Sequence, residues 1–154
     1  MQYIIVIIGL LAADQLIEYG LLKFIGMWGY KQLINGFLSL EVIQNNGIAF
    51  GMFSNSGVIL ICLTSFLIGA LVVYILLKSR TERRAVMIPV TMIAGGALGN
   101  LVDRIRLGYV VDYIHFHIWP YIFNFADICV VLGCIVLFIA ILLPQKNRGE
   151  RRAG

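Results

Sequence analysis

Val58–Leu77 reads VILICLTSFLIGALVVYILL, twenty consecutive residues without a charge. A helix needs about 20 apolar residues to cross the hydrocarbon core of a bilayer. In lipid the backbone groups of such a stretch must be paired within it, which means a helix. Three other segments read the same way. Residues 3–22 are interrupted by Asp14 and Glu18 as their only charges, residues 85–102 carry no charge, and residues 121–143 carry only the charge of Asp127. The alternating pattern of a membrane barrel is absent.

Composition points the same way. The 154-residue chain is 60% apolar and 13% charged, against about 25% charged in soluble domains. Its mean hydropathy is +0.92. A small soluble domain leaves much of its chain in water and cannot hide this much apolar surface. A soluble enzyme, a nucleic-acid-binding domain and a disordered chain are therefore excluded. Cys62, Cys129 and Cys134 all lie in apolar runs and read as small buried hydrophobes, with no disulfide or zinc spacing. Tyr3–Ala13 has neither a basic flank nor a small-residue cleavage site, so it reads as a retained span.

Basic residues set the expected orientation. Lys78, Arg80, Arg83 and Arg84 stand against Glu82 between spans two and three, and Lys146, Arg148, Arg151 and Arg152 stand against Glu150 in the tail. Positive residues stay in the cytoplasm. The loop and both termini are then cytoplasmic, and residues 23–57 and 103–120 form the outer segments. Within the first of these, Phe37–Ile43 alternates like a strand and Asn45-Asn46-Gly47 signals a turn. A small sheet or hairpin on the membrane surface is expected.

The remaining polar residues gather at one depth. Asp14 lies roughly 16 Å along its helix at about 1.5 Å per residue, beyond the midplane. Asp103 and Arg104 close span three, Asp112 lies in the outer loop, and Asp127 begins span four. Asn45, Asn100 and Asn124 fall at the same level. Ionisable groups at membrane depth are costly and point to function. Gly95 and Gly99 form a G-x-x-x-G that reads as helix packing holding Asn100 and Arg104 in place. Val110 and Val111 read as a short extended piece presenting Asp112. Asn124 and Asp127 are three apart, on one helical face.

The residue types narrow the chemistry. Ser54 and Ser56 have no plausible base and sit in a turn, and no cysteine lies in the outer segments. His115 and His117 lack a third metal ligand. A pair of aspartates remains. Two close carboxyl groups cannot easily both ionise, so one keeps a proton while the other activates a water. Such a pair titrates as a unit. From the residues alone, three readings stay open: an enzyme, a small transporter or ion-pathway subunit using intramembrane aspartates, and a non-catalytic scaffold. Spans two and three lack the carboxylates that a relay through the membrane needs.

Five motifs carry a resemblance. They are Asp14-Gln15; Asn45-Asn46-Gly47-Ile48-Ala49-Phe50-Gly51; Gly95-Gly96-Ala97-Leu98-Gly99-Asn100-Leu101-Val102-Asp103-Arg104; Gly108-Tyr109-Val110-Val111-Asp112-Tyr113-Ile114; and Phe123-Asn124-Phe125-Ala126-Asp127. In order and spacing they resemble signal peptidase II, the bacterial lipoprotein signal peptidase family, over nearly the whole chain. The resemblance implies an all-α membrane protein of four transmembrane helices with a small extracytoplasmic β-cradle and a surface helix. It implies one protease domain over residues 1–154 in the bacterial cytoplasmic (inner) membrane, acting near the outer leaflet. The implied activity is an aspartic endopeptidase that cuts diacylglyceryl-modified prolipoproteins before the lipidated cysteine. Asp112 and Asp127 map onto the catalytic dyad, and Asp14, Asn45, Asn100, Arg104 and Asn124 onto supporting or substrate-binding positions. The expected partners are the prolipoprotein substrate and membrane lipid. The chain is expected to be a monomer with no metal, cofactor or nucleic acid. One departure is Glu18, where the family usually has a lysine.

Cysteine labelling tests the orientation. A Glu82→Cys variant should be shielded from outside reagents and a His115→Cys variant accessible; the reverse pattern would invert the topology.

Overall fold

The computed structural model describes residues 1–47 and 57–143. Its elements run α1 (Gln2–Phe24), β1 (Tyr30–Ile34), β2 (Leu38–Asn45), α2 (Gly57–Lys78), α3 (Arg84–Leu107), β3 (Val110–Phe116), β4 (Ile122–Phe123) and α4 (Phe125–Leu142). Among the described residues, four helices are long and apolar enough to cross a membrane. The sheet is antiparallel throughout, in the order β1-β2-β3-β4. This is a bundle of four membrane-length helices with a small sheet at one end. Between α1 and α2 the described residues form the two strands and no separate helix. Residues 48–56, with Ile48–Gly51 of the second motif and Ser54 and Ser56, lie outside the described residues, as does the basic tail from 144 onward.

Two helix ends differ from the sequence reading. The fourth helix begins at Phe125 rather than 121, because Ile122 and Phe123 pair with His115 and Ile114 as β4. The third runs past Val102 to Leu107, so Asp103 lies inside the helix rather than at its end and is fully buried. It stops at Gly108, whose φ of 84° places it in the left-handed region, where a side chain would strain the backbone. The Gly108 N–H donates to the Arg104 carbonyl, and the chain turns directly into β3.

α3 is the central helix. It packs against α1, α2 and α4, and its buried residues run from Val86 to Asp103. Small side chains permit this. A Cβ at Gly99 would collide with the Asp14 carboxylate, and one at Gly133 of α4 would sit 2.9 Å from the Pro89 carbonyl oxygen. Away from the sheet, Tyr3, Ile7, Ile75, Val86, Met87, Val90, Ala94 and Ala140 join all four helices in one apolar cluster. At the sheet end, Val42, Val111 and Tyr113 pack against Leu21 and Leu22 of α1. The outer faces of α2 and α4 expose large apolar residues such as Phe66 and Phe138, as lipid-facing helices do. Cys62 and Cys134 lie on those faces; only Cys129 is buried.

Gly133→Ala should lower the thermal unfolding midpoint in detergent, because overpacking costs about 1–3 kcal/mol. Gly69→Ala, with nothing within 4 Å of the added carbon, should not.

Candidate active site

The start of α4 organises the site. The first N–H groups of a helix have no intrahelical partner. Here each finds an acceptor. Phe125 N donates to the Tyr113 hydroxyl at 3.0 Å and Ala126 N to Asp14 Oδ1 at 3.1 Å. Asp127 N donates to Asn124 Oδ1 at 2.7 Å, and the regular helical bonds begin with Ile128 N, which donates to the Asn124 carbonyl at 3.3 Å. Asn124 N in turn donates to Asp127 Oδ2 at 3.3 Å, which completes a capping box. The cap fixes Asp127 at the mouth of α4, where the helix dipole favours a negative group.

Asp112 arrives from β3. The β2–β3 register sets Asn45 opposite Val110 and Ile43 opposite Asp112. Asn45 Nδ2 therefore reaches Asp112 Oδ2 at 2.8 Å. Asn124 Nδ2 donates to Asp112 Oδ1 at 3.1 Å and to Asn100 Oδ1 at 2.8 Å. Asn100 Nδ2 donates to Asp127 Oδ1 at 2.8 Å. Three asparagines from β2, α3 and the α4 cap thus hold the two carboxyl groups in one continuous network. Asp112 is 1% exposed, while Asp127 is only partly buried.

Arg104 sits one helical turn beyond Asn100. Its Nη1 donates to the Asn100 carbonyl at 3.2 Å and its Nη2 to the Gly47 carbonyl at 3.0 Å. It therefore ties the Asn45–Gly47 turn to α3. That turn is also closed by Gly47 N donating to Asn45 Oδ1 at 2.9 Å. The guanidinium charge faces Asp127, Asp112 and Asp103.

Burial pushes Asp112 up from the ordinary aspartate range to about 7. The Asp127 charge contributes to this rise, and the Asn45 hydrogen bond and the Arg104 charge hold it back.

Of the residues singled out in the sequence, Asp112, Asp127, Asn45, Asn100 and Asn124 share this network, and Arg104 borders it. Asp14 stands outside it and meets the α4 cap through Ala126 N. His115 is occupied elsewhere: its Nδ1 lies 2.9 Å from Glu41 Oε2 across the β2–β3 pair. Sequence reasoning missed Tyr113, whose hydroxyl accepts from Phe125. It also missed the role of Asp103, whose Oδ2 accepts from Val111 N at 3.2 Å. The only sequence signal for either was its place beside a quoted aspartate or arginine.

The family described as Signal peptidase (SPase) II matches residues 6–143. The chain belongs to the signal peptidase II family. A lipoprotein signal peptidase of Caldanaerobacter subterraneus is 37% identical, covering 87% of this chain and 91% of the relative. One from Clostridioides difficile is 38% identical, covering 96% and 99%. A solved structure described as a bacterial membrane enzyme superposes with a TM-score of 0.82 at 30% identity, over 92% of this chain and 87% of its own. Membership in the signal peptidase II family makes this chain a peptidase, and its four spans make it a multi-pass membrane protein.

The charge balance around Asp112 can be measured by carboxyl-carbon NMR. Asp127→Asn removes a like charge and should bring the Asp112 midpoint below about 7. Asn45→Ala removes a bond to the ionised form and should raise it. A midpoint unmoved by both would mean that neither group acts on Asp112.

Proposed function

We propose that this chain is an intramembrane aspartic endopeptidase. It removes the signal peptide from diacylglyceryl-modified prolipoproteins by cutting before the lipidated cysteine. The observation that carries the reading is the asparagine network joining Asp112 to Asp127. It brings two carboxyl groups from separate elements to one place and holds their geometry before substrate arrives.

The chemistry follows from one proton shared by two acids. The ionised carboxylate takes a proton from a water, and the water oxygen attacks the scissile carbonyl carbon. The protonated partner donates a hydrogen bond to the carbonyl oxygen as negative charge grows there. When the carbon–nitrogen bond breaks, the dyad returns a proton to the leaving nitrogen. The dyad titrates as a unit, so neither aspartate is assigned as acid or base alone. An Asp112 midpoint near 7 suits a pair that holds one proton at neutral pH. The asparagines orient the carboxyl groups, Arg104 supplies positive charge at the rim, and Asp14 secures the α4 cap. No metal or cofactor is needed.

The substrate class is supported by the relatives, which are named lipoprotein signal peptidases. The site's depth agrees. The dyad lies at the sheet end of the bundle, and the basic α2–α3 loop at the other. The positive-inside rule then puts the loop and both termini in the cytoplasm and the dyad near the outer leaflet of the cytoplasmic membrane. A lipid-anchored precursor is confined to that leaflet. We read the chain as a monomeric protease domain over residues 1–154, meeting substrate directly from the surrounding lipid.

Asp112→Asn and Asp127→Asn should each cut turnover of a diacylated precursor, followed by gel shift, by about 10²-fold or more while the protein still inserts. Normal turnover by either variant would refute the dyad. An unlipidated precursor should be a poor substrate, and equal cleavage of both forms would refute the lipid requirement. A chelator should leave the rate unchanged.

A further inference from the structure

We propose that a single proton bridges the carboxyl groups of Glu18 and Asp103, and that this bridge positions Asp112 through the Val111 amide. The positioning rests on the dyad reading above; the bridge itself does not.

Behind the α4 cap lies a second polar layer, between α1 and α3. Glu18 is 4% exposed, Asp14 1% and Asp103 0%. Gln15 Nε2 faces all three carboxyl groups: Asp103 Oδ1 at 2.9 Å, Glu18 Oε2 at 3.3 Å and Asp14 Oδ2 at 3.4 Å. An amide nitrogen carries two hydrogens, so it cannot satisfy three acceptors. Asp14 has a second donor in Ala126 N, and Asp103 has one in Val111 N. Among the described residues Glu18 has no second donor, and its Oε1 is buried with no partner. Its carboxyl group lies within hydrogen-bonding reach of Asp103.

Charge leads to the same conclusion. Among the described residues, the charged and titratable groups facing Glu18 are Asp14 on its own helix, Asp103 and Arg106 on α3, and Tyr113 on β3. The one cation among them, Arg106, bonds to Gln15 Oε1 and is exposed. Three buried carboxyl groups beside one exposed guanidinium lack both a hydrogen and a positive charge. A proton between Glu18 and Asp103 supplies both, and leaves each bridged oxygen with a partner.

The bridge acts at a distance because Asp103 is also the acceptor for Val111 N, one residue before Asp112. Among the described residues, Asp103 has no other hydrogen bond to β3. With the proton present, the Asp103 carboxyl group is held from α1 and fixes the start of β3. Without it, two adjacent carboxylates repel, and Asp103 moves away from Gln15 and Val111. Glu18 is then a positioning residue, touching neither substrate nor the reacting water.

Two measurements test this. The first is infrared spectroscopy of the full chain in the Asp112→Asn/Asp127→Asn background, which removes the dyad's own acid proton. Adding Glu18→Gln should abolish one carbonyl stretch of a protonated carboxylic acid, since the amide donates to Asp103 without an extra proton. An unchanged spectrum overturns the bridge, whatever the status of the dyad. The second compares Glu18→Gln with Glu18→Ala. The glutamine variant should keep kcat within about twofold of wild type. The alanine variant should lose about tenfold or more in kcat with KM unchanged, because a misplaced catalytic group costs rate rather than binding. The Val111 amide resonance should move in Glu18→Ala and stay in Glu18→Gln. Equal behaviour of the two variants in kcat or in that resonance overturns the positioning role.

Discussion

The whole polar end of this protein depends on closing one helix terminus. The first turn of α4 presents its N–H groups within an apolar bundle, where an unpaired backbone group costs several kcal/mol. Acceptors come from three parts of the chain: Asp14 from α1, Tyr113 from β3 and Asn124 from the residue just before the helix. The requirement is local, but meeting it pins α1, β3 and α4 to one another. The sheet end is joined to the bundle by this terminus, by Asp103 and Arg104 of α3, which bond to Val111 and Gly47, and by the apolar contacts of Val42, Val111 and Tyr113.

The same closure prepares chemistry. Asn124 uses its side-chain oxygen to cap α4 and its side-chain nitrogen to hold Asp112 and Asn100. Asp127 uses one oxygen for the cap and offers the other to Asn100. The groups that end the helix are therefore the groups that aim the two acids. Little of the network can reorganise separately, which suits a site where charge must develop against fixed dipoles.

Much of this was legible in the sequence, and the gaps have physical causes. Long apolar runs fix four spans, because lipid leaves a helix as the available answer. The ends were less legible. Ile122 and Phe123 suit a strand or a helix equally, and only pairing with β3 decides between them. In the sequence Asp103 reads as the outer end of span three, since a charge normally ends an apolar run. Its burial depends on Gln15, far away in sequence, and on the amide of Val111 after a turn. Depth grouped asparagines and aspartates that hydrogen bonds do join, because polar residues in lipid seek one another. Depth could not separate the cluster around Asp112 and Asp127 from the one around Asp14 and Asp103, because what divides them is which α4 cap group each meets: Asn124 for the first and Ala126 N for the second. Tyr113 escaped notice because a tyrosine beside a membrane is ordinary until its hydroxyl meets a helix end.

The central place of α3 has a consequence for biogenesis. Among the described residues α3 packs extensively against each of the other three helices, whereas α1 and α2 share no comparable contact. During synthesis the first two spans must therefore enter the bilayer as separate rods, each surrounded by lipid, with the polar face of α1 still waiting for its counterpart. Assembly begins only when the third span leaves the insertion machinery, and the site closes only after the fourth.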